Sequence, residues 1–112
     1  MKKPKPRQLT EHEIQRAAVQ WIRQNTGYLV YAIPNGGRRS LIAGAKLKAE
    51  GMVPGMPDLH VPALQLWLEM KTAVGKVTPV QAAIHKRLRD EGQTVVVCRS
   101  VTDVVMAVTG QA

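Results

Sequence analysis

Apolar residues first recur at helical spacing just inside the N-terminus, where Ile14, Ala17, Ala18, Trp21 and Ile22 fall on one face of a 3.6-residue repeat. Thr10 followed by Glu13 reads as a capping box opening that helix, and Gly27 is the expected stop. Residues 28–33 (Tyr-Leu-Val-Tyr-Ala-Ile) have strand composition and run into Pro34. A loop over 35–39 precedes Ser40, which can cap a second helix lasting to about Glu50 and closed by Gly51. After a loop punctuated by Pro54, Gly55 and Pro57, a short strand over 58–61, a turn near Pro62 and Ala63, and a second strand over 64–71 predict a hairpin. Thr78, Pro79 and Gln81 give a second capping box at the head of a helix that ends at Gly92. A strand over 94–99 and a short helix beginning at Ser100 and Asp103 close the chain.

The order α-β-α-β-β-α-β-α predicts an α/β fold: a mixed sheet of about four strands flanked by helices. The hairpin is antiparallel, and the helix-bearing connections permit parallel pairing elsewhere. At 112 residues and 45% hydrophobic, the chain fits one domain over 10–112, preceded by a basic arm over 1–9 rich in Lys and Pro. Its apolar runs are far shorter than the roughly 18 residues of a membrane span, and the basic start leads into polar residues rather than a secretory core. A single cysteine, Cys98, excludes a disulfide framework and any multi-cysteine metal site. These features predict a soluble protein with no membrane role and a cytoplasmic location.

Charge changes the picture. The formal net charge is +8, and residues 1–57 carry ten basic against three acidic residues. Such a basic chain points to phosphate-bearing partners. With only Trp21, Tyr28, Tyr31 and Trp67 as aromatics, duplex-like phosphate binding fits better than base stacking along a single strand. Arg38 and Arg39 beside Gly36 and Gly37, together with Asn35, Lys46, Lys48 and Lys76, are the candidate DNA contacts.

Acidic residues on a basic protein then need a reason. Pleating places Gln65, Trp67, Glu69 and Lys71 on one face of the second hairpin strand, with Glu69 and Lys71 about 6.6–7 Å apart along the backbone. Pairing about the turn can bring Asp58 level with Glu69. Two converging carboxylates offer hard oxygen ligands suited to Mg²⁺ or Mn²⁺, and a neighbouring lysine can act on a water. His12, His60 and His85 lie on three separate elements without metal-ligand spacing and read as incidental; Cys98, among valines, reads as core.

The run Gly55-Met56-Pro57-Asp58, then Glu69-Met70-Lys71, then Gly75 with Gln81 six residues on, resembles the PD-(D/E)xK nuclease superfamily. More narrowly it resembles the virus-type replication-repair nuclease (VRR-NUC) family. The likeness extends to the first helix with Glu13, the loop at Pro34-Asn35-Gly36-Gly37, Lys48-Ala49-Glu50-Gly51, Leu88 and Gly92. It implies a restriction-endonuclease-like sheet and a metal site of Glu13, Asp58, Glu69 and the Met70 backbone carbonyl. Lys71 would act on the attacking water, and Gln81 would support catalysis. Glu13 and Gln81 also have their capping roles to fill. The implied activity is Mg²⁺- or Mn²⁺-dependent endonucleolytic cleavage of DNA, favouring branched structures such as four-way (Holliday) junctions and acting as a homodimer. The family includes phage-encoded and repair-associated enzymes. The competing readings are a non-catalytic DNA-binding module and a nuclease acting on other DNA or RNA structures.

Overall fold

A computed structural model describes residues 7–34 and 41–110. In chain order the elements are α1 (Glu11–Asn25), β1 (Tyr31–Ala32), α2 (Leu41–Ala49), β2 (Leu59–Val61), a one-turn 3₁₀ helix (Pro62–Leu64), β3 (Leu66–Met70), α3 (Pro79–Asp90), β4 (Thr94–Cys98) and α4 (Val101–Thr109). The strands form one sheet in the order β1-β2-β3-β4. The first two pairings are antiparallel and β3 pairs with β4 in parallel. The expected mixed α/β architecture is therefore present. No helix among the described residues is long and apolar enough to cross a membrane.

The pleat sorts the sheet into two faces. Leu59, Val61, Leu66, Leu68, Met70 and Cys98 pack against Ile14, Ala18 and Ile22 of α1 and Val104 and Val108 of α4. The spacing of the three α1 residues, one turn apart, explains why that helix lies on this face. Each of the Val, Leu, Ile and Met side chains removed from water contributes about 1.5–3 kcal/mol. The opposite face carries His60, Trp67 and Glu69. There α3 delivers His85 onto Glu69, and every residue of β3 is buried.

Three local features differ from the sequence reading. The strand expected over 28–33 is only Tyr31–Ala32. Its partner β2 has three residues, and the ladder continues only through Ile33 N–H to Asp58 O (2.8 Å). The hairpin turn is a 3₁₀ turn closed by Gln65 N–H to Pro62 O, with Gln65 in the left-handed region at φ 50°. Leu64 consequently belongs to the turn, and β3 begins at Leu66. Finally, α1 is capped by Thr26 in extended conformation rather than by Gly27; its hydroxyl donates to Ile22 O and accepts from Tyr28 N–H.

Gly55 fixes the loop that leads into β2. Its φ is +87°, and a Cβ there would meet the Val80 carbonyl oxygen and Cγ1, each at 2.9 Å. The loop thus lies against the start of α3 at a distance only glycine permits. We expect Gly55→Ala to cost about 1–3 kcal/mol, seen as a Tm lower by roughly 4 °C or more. An unchanged melting curve would show that the close approach is not required.

Candidate active site

The β2–β3 register pairs Leu59 with Leu68, so one step further along the hairpin Asp58 stands opposite Glu69. Both ends of Asp58 are tied down. Its carbonyl accepts from Ile33 N–H, and its Oδ2 accepts from Met70 N–H at 2.7 Å. Lys71 N–H donates to Cys98 O on β4 (3.0 Å). Across a trans peptide the carbonyl points opposite to the N–H, so the Met70 carbonyl is turned toward the β2 side, where Asp58 lies. Two carboxylates and one backbone carbonyl therefore share one side of the hairpin end.

Glu69 is 1% exposed, and its Oε1 lies 3.0 Å from Nε2 of His85, itself 2% exposed. Burial pushes the Glu69 carboxyl up to about 9, helped by its hydrogen bond to Asp58 and the Asp58 charge and opposed by Lys71. His85 is made less basic by burial first, then by Arg89 and Lys71. Lys71 is 7% exposed, with Nζ 4.0 Å from Oε1 of Glu11 on the first turn of α1. The turn after Lys71 is held by Arg99, whose Nη1 donates to the carbonyls of Thr72 and Gly75 at 2.7 Å each. The result is a buried Glu69 carboxyl with half-buried Asp58 and one lysine beside it, oxygen donors of the kind a hard cation takes. Among the described residues no three His, Cys, Asp or Glu side chains form a closed metal cluster.

No family profile and no curated protein matches the sequence. A solved structure described as a VRR_NUC domain protein, however, superposes with a TM-score of 0.78 at 23% identity, covering 92% of this chain and 88% of that one. The chain has the VRR-NUC fold.

Within the VRR-NUC fold the remaining expected site residues are placed unequally. The carboxylate of Glu13 accepts from Thr10 N–H, completing the capping box, and pairs through both oxygens with Arg7 at 2.7 Å. These contacts, the Arg7 guanidinium foremost, lower its pKa to about 2. Residues two apart on a helix do not face the same way, and the α1 carboxylate near Lys71 is Glu11. Gln81 also completes its capping box, accepting from Thr78 N–H through Oε1 at 3.0 Å, one turn before His85. Lys46, Lys48 and Lys76 are exposed. Asn35, Arg38, Arg39 and the Ser40 cap lie outside the described residues, as does the start of the basic arm. His60 stacks on Trp67 (ring centroids 3.9 Å apart) and shares a 2.7 Å hydrogen bond with the Tyr31 hydroxyl.

His85 is the residue that sequence reasoning missed. The available signal was its position four residues after Gln81, on the same side of α3.

The raised Glu69 pKa gives a sign to the pH dependence. Without a bound cation, folded Glu69 keeps its proton up to about 9, while the unfolded chain releases it near 4.5. The folded state therefore holds the extra proton in between. This contribution to stability is complete below about 4.5 and is lost as pH rises through about 9. In chelator, we expect the Tm of Glu69→Gln to gain on wild type between pH 5 and 9. Parallel Tm profiles would contradict the assignment.

Proposed function

We propose that this chain is a Mg²⁺- or Mn²⁺-dependent DNA endonuclease, with Asp58, Glu69 and the Met70 carbonyl holding the cation. The observation that carries this reading is the buried Glu69 carboxyl set beside the half-buried Asp58 and the buried Lys71. A basic chain gains nothing from turning two acids toward phosphate unless a cation lies between them. All three donors are hard oxygens, and the strained acidity of Glu69 is what a divalent cation relieves. When bound, such a cation stabilises charge developing at phosphorus and acidifies water nearby.

The protein's own groups complete the chemistry. Lys71 orients the attacking water, and Glu11 beside its Nζ steadies the ammonium. Asp58, fixed by the Met70 N–H, cannot swing away from the hairpin end. Water adds to phosphorus in line with the leaving 3′ oxygen and gives up a proton to solvent; the P–O3′ bond breaks, the departing oxygen takes a proton from a solvent water, and a 5′-phosphate and a 3′-hydroxyl result. Gln81 supports this chemistry from the start of α3. The exposed Lys46, Lys48 and Lys76, with Asn35, Arg38 and Arg39, supply phosphate contacts. One chain carries one such site, so cutting both strands of a branched substrate calls for a twofold homodimer. A four-way junction is the substrate we favour.

The direct test is cleavage of labelled linear duplex and four-way junction DNA with Mg²⁺, Mn²⁺ or chelator. We expect metal-dependent cutting with preference for the junction. Asp58→Asn and Lys71→Ala should each lower the rate by about 100-fold or more, while Lys71→Ala retains DNA binding. Cleavage in chelator, or full activity in either variant, would overturn the mechanism. Equal cutting of both substrates would remove the junction preference alone. Binding without any cutting would favour a non-catalytic DNA-binding module, and preferential cutting of matched RNA would redirect the substrate class.

A further inference from the structure

The contact between α3 and the acidic pair has the features of a device for aiming a ligand. Glu69 and His85 are 1% and 2% exposed, so no solvent water can stand in for either partner of their 3.0 Å contact. The pleat fixes where Glu69 leaves the strand, but rotation about its terminal bond is broad and roughly twofold. A single buried donor can decide which oxygen is left over. His85 is itself held firmly, because α3 is anchored at both ends. The Thr78–Gln81 capping box fixes its start, and Arg89 near its end donates to Val95 O on β4 at 2.8 Å.

We propose that His85 is a positioning residue for the cation site: its Nε2–H holds Oε1 of Glu69 and leaves Oε2 for the cation shared with Asp58. The inference rests on the metal-dependent reading of that site. His85 touches neither substrate nor cation in this role. It acts through Glu69, as imidazole and carboxylate partners of metal ligands do when they fix ligand orientation. An apolar residue at position 85 would fill the same space but leave a buried carboxylate oxygen without a donor.

The test is Mn²⁺ binding to the DNA-free protein, followed by the electron paramagnetic resonance signal of the free ion. Wild type, Asp58→Ala, His85→Gln and His85→Phe would be compared at a temperature where circular dichroism shows each folded. Gln can donate to Glu69 and Phe cannot. We expect His85→Phe to weaken Mn²⁺ binding by about 10–100-fold and His85→Gln to stay within a few-fold of wild type. Should the Phe variant fail to fold, His85→Asn, whose amide is too short to reach Glu69, is expected to show the same loss. A folded non-donor variant that binds Mn²⁺ as wild type does would overturn the positioning role, as would a Gln variant no better than Phe. Wild type that binds no Mn²⁺, or Asp58→Ala that binds it equally well, would instead bring down the cation site and the inference with it.

Discussion

Two carboxylates facing each other across a β-hairpin repel, and burying one of them makes the repulsion worse. Asp58 and Glu69 are in this position. The protein answers with local donors: Met70 N–H to Asp58 and the His85 imidazole to Glu69, with the Lys71 ammonium acting electrostatically on the pair. These reduce the conflict without removing it, which is why Glu69 keeps its proton far above the usual carboxylate range. A proton or a divalent cation must complete the balance. The proposed chemistry follows from preferring the cation.

Much of the surrounding fold serves to hold that pair in place. The β2–β3 register puts the acids level, and the parallel pairing with β4 turns the Met70 carbonyl toward them. Helix α3 is tied at both ends and so presents His85 at a fixed height. Arg99, reaching from the end of β4 to two carbonyls of the turn after Lys71, restrains that lysine's own loop. The Gly55 contact with Val80 seats the segment entering Asp58 against the same helix. The opposite face of the sheet is filled by α1 and α4 with aliphatic side chains, and among the described residues its core has no comparable polar group. Rigidity on that side is ordinary hydrophobic packing; precision on the other is built from hydrogen bonds.

The sequence made the element order and the Asp58, Glu69, Lys71 grouping legible because strand alternation and hairpin pairing are local rules. The Thr10–Glu13 and Thr78–Gln81 capping boxes were legible for the same reason, and both form. What was not legible depends on tertiary placement. His85 looked incidental because its partner lies 16 residues away on another element. The contact of Lys71 with Glu11 of α1 is a matter of helix rotation that neither capping nor resemblance determines. The two-residue length of β1 was set by how far it pairs with β2, which its own composition does not reveal. The 3₁₀ turn at Pro62 likewise follows from closing the hairpin with Gln65 in the left-handed region.

In the proposed reading the Asp58–Glu69 pair holds a divalent cation. Crystals soaked in Mn²⁺ and measured for anomalous scattering test it most directly. We expect an anomalous peak within coordination distance of both carboxylates and the Met70 carbonyl, lost in Asp58→Ala crystals. Fully loaded soaks with no peak there, and Glu69 still bonded to Asp58, would contradict it.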